Sequence, residues 1–388
     1  MLKLPSNGQN FAKIRRDDLL YVDKTKYIYP IVKKGGCYFI SRPRRFGKSL
    51  LIGTLENLLK GNRELFQGLW IDSSDYDFQK YPVVKLSVSG DCDSEAALVG
   101  SLINKLQGAA EENGLSLADL DLAENSSPGG ILDRLVRKLC SREKNLVAIL
   151  IDEYDAPIND VLGDPAQAEI NRKVLRRFYA SIKTLADDDK TSLIFVTGVT
   201  KFSKASVFSG FNNLSDLTLD PTHNSICGFT LEEFRSYFLE YLPDILEYNK
   251  SKGFMPPEAD LDYLIGEIIG YYDGYSWDGE TRVLNPYSLI QALATKELTA
   301  HWFSSGAMSF LIDLLKKGGS SYSFPETTQM SETSLNALDI KNLQLTPLLF
   351  QTGYLTIDQR LSADSYLLRR PNQEVSQALD QNLLDYLL

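Results

Sequence analysis

Short apolar runs alternate with amphipathic stretches through the first 220 residues. The runs predict five β-strands, over residues 38–41, 82–88, 146–151, 192–197 and 216–219. The run at 146–151 is apolar at every position, which is typical of a strand buried on both faces of a parallel sheet. Helices are predicted over residues 26–34, 50–59, 94–112, 129–140 and 166–186. Strands that alternate with helices indicate an α/β fold built on a parallel sheet.

The pattern changes after residue 227. Thr230-Leu231-Glu232-Glu233 is a capping box that opens a helix, and helical patterns continue to about residue 320. Residues 318–331 are predicted to form a loop, and residues 348–368 a short helix with a two-stranded wing. These changes predict three parts: a core over 1–227, a helical lid over 228–330 and a C-terminal module over 331–388.

Composition narrows the class of protein. The chain has 388 residues and a net charge of -10, so it lacks the overall basic field that favours non-specific nucleic-acid binding. Its four cysteines lie far apart and it has only two histidines, His223 and His301, which argues against zinc sites, disulfide frameworks and most triads. No apolar run approaches the ~18 residues of a membrane span, and no signal peptide is evident. A cytoplasmic protein is therefore predicted.

The tripeptide Gly47-Lys48-Ser49 lies between a predicted strand and a predicted helix. It matches the end of a phosphate-binding loop, in which backbone N–H groups and the Lys bind phosphates and the Ser hydroxyl binds Mg²⁺. The pattern asks for a glycine where this chain has Arg42, and Pro43 fixes the next φ angle. The alternative is a chance match in a basic surface loop, but the flanking strand and helix favour a phosphate loop.

Acidic side chains follow the third predicted strand. P-loop NTPases hold Mg²⁺ with an Asp at the end of an apolar strand, here Asp152. Glu153 is placed to polarise the attacking water, which favours hydrolysis, whereas Asp155 has the weaker case and is expected only to cap the next helix. Thr197, which ends the fourth strand, is expected to bond the γ-phosphate or its water. The alternatives are a solvated acidic strand end and an ordinary threonine.

Basic and aromatic residues near these motifs leave two interpretations open. The basic residues are Arg42, Arg44, Arg45, Lys201 and Lys204. The arginines either bind phosphates or play a structural role by pairing with Asp or Glu, and DNA contact is disfavoured. The lysines either sense phosphate charge or form a solvated basic turn. The segments over 271–277 and 285–288 form either a packed hairpin, which is favoured, or a lid over a nucleotide.

Several segments form a specific series along the chain. They are Val22-Asp23-Lys24-Thr25, residues 42–49, 151–155, 197–203, 210–214 and 272–275, and Asn285-Pro286. Together they resemble the predicted AAA-ATPase-like family of bacteria, over about residues 4–295 and more weakly to 371–375. Arg42 matches this family's own pattern, so it is not a sign of a decayed loop.

The resemblance implies a P-loop ATPase with a parallel five-stranded sheet in the order 5-1-4-3-2. It also implies a helical lid followed by a winged-helix-like module, with Asn285-Pro286 at a place resembling a nucleotide-sensing turn. Members often carry a C-terminal PD-(D/E)XK nuclease-like domain. Because the chain stops at Leu388, nuclease activity is not expected.

The predicted function is that of a Mg²⁺-dependent ATP-binding protein, a slow ATP hydrolase that acts as a nucleotide-controlled switch. Lys48, Glu153 and Thr197 would carry the chemistry, while Ser49 and Asp152 would hold Mg²⁺. The nucleotide contacts would be Arg44, Arg45, Phe46, Gly47, Lys48, Ser49 and Leu50. ATP is favoured over GTP because no Asn-Lys-x-Asp guanine signature occurs. The alternative is a non-hydrolysing scaffold that contacts DNA or a protein through the C-terminal module, and the oligomeric state stays open.

Overall fold

The computed structural model describes residues 1–6, 8–123, 126–202, 213–302, 327–336, 338–340 and 343–387. Some of the predictions above fall elsewhere. The candidate sensor Lys204, residues 210–212 of the resemblance, the helical pattern over 303–320 and most of the predicted loop at 318–331 lie outside the described residues.

The core is a five-stranded parallel sheet. Its strands are β1 (Gly36–Ser41), β2 (Val83–Ser87), β3 (Val147–Asp152), β4 (Thr191–Gly198) and β5 (Leu214–Asp216). They are arranged in the order β2-β3-β4-β1-β5, which confirms the order expected from the resemblance. The predicted fifth strand at 216–219 is wrong in its bounds. The Asp216 side chain accepts a hydrogen bond from Thr218 N (3.0 Å), and this local turn ends the strand.

Seven helices surround this sheet in the first part of the described chain. They are α1 (Phe11–Arg16), α2 (Thr25–Lys34), α3 (Lys48–Leu59), α4 (Glu95–Glu112), α5 (Pro128–Glu143), α6 (Ala156–Asn159) and α7 (Pro165–Asp187). Every residue of β3 is buried. Ala148 and Leu150 join the apolar cluster that contains α3, whereas Ile149 and Ile151 join the cluster of α4, α5 and α7. Burial on both faces explains why this run has no polar position.

Helices follow in the next part of the chain: α8 (Leu231–Phe238), α9 (Leu242–Ser251), α10 (Leu261–Tyr272) and α11 (Pro286–Thr295). The predicted capping box is confirmed at the start of α8. Thr230 Oγ1 accepts from Glu233 N (3.2 Å), and the Glu233 carboxylate accepts from Thr230 N (2.8 Å). Among the described residues, no helix is both long and apolar enough to cross a bilayer.

The C-terminal residues form a three-stranded antiparallel sheet with helices. The elements are β6 (Thr327–Ser331), α12 (Glu332–Leu335), α13 (Leu345–Thr352), β7 (Thr356–Ser362), β8 (Ser365–Arg369) and α14 (Gln373–Leu387), with the strand order β6-β8-β7. A loop was predicted where β6 lies. This strand is polar and only partly buried, so it carries no hydrophobic pattern, and backbone pairing with β8 creates it.

The C-terminal elements pack directly on the sheet domain. Phe350, Tyr354 and Tyr366 belong to the same apolar cluster as Phe46 and Leu51. The three-part division of the chain and the winged-helix-like character of the C-terminal module stay predictions.

Candidate functional site

A cavity of about 800 Å³ lies where β1 and β3 end. The loop after β1 and Glu153 after β3 form one wall, and the N-terminal residues and α11 form others. Its polar lining includes Lys24, Lys48 and Ser49. Apolar lining side chains on the other walls are Leu20, Ile28, Phe229, Phe238 and Ile290. The volume falls within the range of small-molecule sites, roughly 300–1,000 Å³.

The loop over residues 42–49 turns sharply before α3 begins at Lys48. Arg45 and Gly47 have positive φ angles, +70° and +89°, and so supply the left-handed conformations that bend the chain. Lys48 Nζ lies inside the loop and donates to the carbonyl oxygens of Arg42 (2.9 Å) and Pro43 (2.8 Å). Burial lowers the pKa of Lys48, and the charge of Asp152 opposes this shift. The Lys48 ammonium is thus held by neutral carbonyls beside the cavity.

Arg42 supports the loop from behind. Its N–H donates to Gly198 O (3.1 Å), which extends the pairing of β1 with β4, a conformation that needs no glycine. Its guanidinium is 1% exposed and donates to the carbonyls of Thr218 (2.9 Å) and His223 (3.3 Å). The same group lies 4.0 Å from the Trp277 ring, and burial lowers the pKa of Arg42 to about 10. Of the two roles left open for Arg42, the structure shows the structural one, with carbonyl oxygens and an aromatic ring as partners in place of the expected Asp or Glu.

Phe46 anchors the middle of the loop. Its ring is buried and makes edge contacts with Tyr275 (4.7 Å between centroids) and Trp277 (5.5 Å). Tyr275 pairs with Val283 across an antiparallel bridge, so the favoured packed hairpin is present and it contacts the loop. The Phe46 side chain, predicted as a nucleotide contact, therefore serves chiefly to hold the loop against the hairpin.

The acidic pair after β3 separates into a buried and a cavity-lining residue. Asp152 is buried, and its Oδ1 accepts from Thr197 Oγ1 (2.5 Å) and Glu153 N (3.0 Å). Glu153 has φ +53°, a left-handed conformation, and lines the cavity with Lys48. Thr197 is completely buried, so it reaches the site through Asp152. The structure brings together Lys48, Asp152, Glu153 and Thr197 as the order of strands requires.

Two predictions for residues near the end of β4 were wrong. Asp155 makes no side-chain cap to α6; its buried carboxylate accepts instead from Val199 N (3.0 Å) and Thr200 N (2.6 Å), which fixes the end of β4. Lys201 is neither a phosphate sensor nor a solvated turn residue. It is buried, pairs with Asp216 (2.6 Å), and donates through Nζ to Asn336 Oδ1 (2.7 Å). Distant segments supply these partners, so local sequence gave no signal.

The arginines Arg44 and Arg45 line the cavity. Arg44 Nη2 lies 3.4 Å from Asp160 Oδ1, and burial raises the pKa of Asp160 while Arg44 opposes that shift. The Arg45 guanidinium stacks 3.9 Å from the Tyr287 ring. Their side chains therefore line the cavity while each contacts a protein group.

The comparison with known proteins agrees with this geometry. Residues 5–208 match the family model described as Predicted AAA-ATPase. The chain belongs to this predicted AAA-ATPase family. It is also similar to an uncharacterized protein in the vnfD 5′ region of Azotobacter chroococcum mcd 1, with 37% identity over 387 residues, 98% of this chain and 70% of that protein. The family assignment confirms the resemblance and supports nucleotide binding.

The sequence did not identify Lys24 as a residue of the candidate site. Lys24 lines the cavity, is buried, and donates to Ser225 O (2.9 Å) and the Glu233 carboxylate (2.6 Å). Burial lowers the pKa of Lys24, and the Glu233 charge opposes this. The capping-box glutamate of α8 thus also connects α8 to the N-terminal segment. Lys24 stood in the first segment of the resemblance, but its partner is 209 residues away.

A further wall begins at Asn285-Pro286, the turn that the resemblance relates to nucleotide sensing. Asn285 is buried and caps α11, accepting from Tyr287 N (3.0 Å) and Ser288 N (3.3 Å). Pro286 and Tyr287 line the cavity. The turn therefore sets the direction of a helix that borders the cavity, which is consistent with the sensing role implied by the resemblance.

Proposed function

We propose that this chain binds ATP with Mg²⁺, hydrolyses it slowly and acts as a nucleotide-controlled switch. The observation that carries the proposal is the meeting of Lys48, Ser49 and Glu153 in one cavity, with Asp152 directly behind. In P-loop NTPases these residue types bind phosphate, coordinate the metal ion and orient water.

Lys48 would bind the β- and γ-phosphates. Its Nζ now donates to two loop carbonyls, and a phosphate oxygen would be a charged and therefore stronger acceptor. The start of α3, a helix of 12 residues, adds backbone N–H groups directed at the same place. Binding would thus exchange internal hydrogen bonds of the loop for bonds to the ligand.

Ser49 and Asp152 would hold Mg²⁺. The residues fit the ion, since it prefers hard oxygen donors and usually binds one or two protein oxygens together with waters and substrate phosphates. The described residues contain no group of three or more His, Cys, Asp or Glu that could hold a metal ion alone. Bound Mg²⁺ would neutralise charge that develops on the phosphates.

Glu153 would orient the attacking water, because its side chain lines the cavity on the side of Lys48. Thr197 would act indirectly, since its hydroxyl donates to Asp152 Oδ1 and fixes the orientation of that carboxylate. The apolar walls formed by Phe229 and Ile290 would bind the base, and we propose adenine.

A non-hydrolysing nucleotide-binding scaffold is the second candidate. It is favoured by one observation, that the Thr197 hydroxyl is already engaged with Asp152 and does not line the cavity. Any partner of the C-terminal module is more plausibly protein than DNA, because residues 331–388 carry more acidic than basic side chains.

Binding of ATP and ADP and the rate of ATP turnover test the proposal. Glu153→Gln is expected to bind ATP as wild type does while its turnover falls about 10²- to 10⁴-fold, the usual contribution of a general base. Glu143→Gln, an exposed residue paired with Arg142, is the matched control and should behave as wild type. Equal turnover by wild type and Glu153→Gln would favour the scaffold, and undiminished ATP binding by Lys48→Ala would overturn nucleotide binding at this loop.

A further inference from the structure

Glu374 is a buried carboxylate outside the residues assigned above. It lies in the second position of α14 and is 0% exposed. It does not cap its own helix, because Asn372 Oδ1 already accepts from Val375 N (3.1 Å). The segment 371–375 was the weakest part of the sequence resemblance, and the candidate site gives it no role.

One oxygen of Glu374 holds two separate elements. Oε1 accepts from Ser288 Oγ (2.9 Å) and from the backbone N–H of Trp302 (2.8 Å). Ser288 belongs to α11, whereas Trp302 lies beyond that helix. Both bonds are buried, so little water competes for them.

Ser288 and Trp302 each adjoin or contact residues that line the cavity. Ser288 follows Pro286 and Tyr287, which line the cavity from α11. The Trp302 indole Nε1 donates to the carbonyl oxygen of Arg44 (3.0 Å), and Arg44 lines the cavity from the loop over residues 42–49. A single carboxylate oxygen therefore connects α11, here named the lid helix, with the loop over residues 42–49, here named the phosphate loop.

A purely structural role explains this arrangement poorly. Glu374 Oε2 has no hydrogen-bond partner among the described residues, and burial of an incompletely bonded carboxyl is unfavourable. Apolar side chains of similar size usually fill such a position at lower cost. A role in connecting two walls of one cavity would explain why a carboxylate is buried at this position.

We propose that Glu374 is a positioning residue for the nucleotide site, which fixes the spacing of the phosphate loop and the lid helix through Trp302 and Ser288. The inference rests on the proposed nucleotide binding and extends it to the C-terminal helix. It makes α14 one of the elements that connect the C-terminal module to the nucleotide cavity.

The test is calorimetric titration of the full chain with ADP and Mg²⁺. Glu374→Ala is expected to weaken ADP binding about tenfold or more, as loss of one to two buried hydrogen bonds would. Glu374→Gln keeps the Oε1 acceptor and should remain within about threefold of wild type. Asp380→Asn, on the exposed face of the same helix and paired with Arg370, is the matched control and should bind as wild type.

A second pair of variants keeps the test decisive if Glu374→Ala does not fold. Trp302→Phe removes the indole N–H and keeps a ring beside Tyr354, and Ser288→Ala removes the other arm. Each is expected to weaken ADP binding with little change in the unfolding midpoint. Wild-type affinity for ADP in both Trp302→Phe and Ser288→Ala would overturn the positioning role. Wild-type affinity in a folded Glu374→Ala protein would overturn it too. A Glu374→Gln protein that binds ADP as weakly as Glu374→Ala would also contradict it. If wild type itself does not bind ADP, the proposed function falls, a result distinct from equal binding by all variants.

Discussion

The loop over residues 42–49 contains two sets of residues that differ in what they contact. The loop anchors have buried side chains that contact the hairpin, the segment after β5 and the C-terminal module; they are Arg42, Pro43 and Phe46. The cavity residues end the loop and border the 800 Å³ cavity; they are Gly47, Lys48 and Ser49, and Arg44, Arg45 and part of Phe46 also line it. Only the second set matches the general phosphate-loop pattern.

The difference shows how this loop can hold a sharp turn without the first glycine of the general pattern. In the general pattern, glycine permits backbone conformations that other residues avoid. Here Arg42 continues β1, and the left-handed turn falls on Arg45 and Gly47. A Cβ atom at Gly353 would approach Pro43 Cβ to 2.8 Å, so the C-terminal module is packed tightly against the loop. Packing replaces backbone freedom in fixing the loop's shape.

The largest effect is expected for Arg42→Gly, which restores the general pattern. It should lower the free energy of unfolding by about 2–5 kcal/mol, because a buried side chain is removed and three carbonyls lose a donor. Urea denaturation measures the change. Arg44→Gly in the same loop is the control, with a loss of about 1 kcal/mol. An Arg42→Gly protein as stable as wild type would break the distinction between the two sets.

Lys48→Ala should show the reverse behaviour. ADP affinity is expected to fall about 10- to 100-fold, since a charge-assisted hydrogen bond contributes about 1.5–3 kcal/mol, while stability should change less than in Arg42→Gly. Titration calorimetry and urea denaturation on the same samples separate the two properties. Lys33→Ala, an exposed residue paired with Asp75, is the control. A large loss of stability with intact affinity would contradict the assignment of Lys48 to the cavity set.

A smaller effect, of roughly 1–3 kcal/mol, is expected from the pH dependence of stability at Glu374. Burial raises the pKa of Glu374 to about 7 from its ordinary 4.5, so the folded protein keeps a proton that the unfolded chain has released. Stability from this group is therefore lost as pH rises from about 4.5 to 7. Glu374→Gln should flatten the decline of the unfolding free energy across that window.

The matched comparison for that measurement is Asp380→Asn, which should keep the wild-type slope. Denaturation curves at several pH values from 4.5 to 8 provide it. Identical slopes for wild type and Glu374→Gln would show that the buried carboxyl does not titrate in this range.

The smallest effect is expected for Thr197→Val, which is nearly isosteric and removes one bond to Asp152. ADP affinity in the presence of Mg²⁺ should fall about two- to tenfold, the worth of about one hydrogen bond, while affinity without Mg²⁺ stays unchanged. Titrations with Mg²⁺ and with EDTA provide the comparison, and Thr184→Val on the exposed part of α7 is the control. An equal loss under both conditions would argue against the proposal that Thr197 acts by orienting Asp152 toward Mg²⁺.

Much of the core could be predicted because its signals are local. The apolar run that ends at Asp152 predicts the end of a strand, and the tripeptide around Lys48 predicts the start of a helix. The bounds of β5 and the existence of β6 could not be predicted, since a side-chain turn at Asp216 and backbone pairing without an apolar pattern decide them. Both roles predicted for Lys201 were wrong for a similar reason, because its partners Asp216 and Asn336 lie on other elements.

The sequence by itself determined the core strands β1 to β4, the Gly-Lys-Ser motif and the family of the chain, because spacing and polarity along the chain encode them. Only the tertiary structure decided which residues support the loop. Arg42, Lys24 and Glu374 are all charged side chains that would be solvated in an isolated segment, and they are buried here because the fold brings acceptors or donors to them. Whether a charge faces solvent or closes a contact depends on partners that can lie more than 200 residues away.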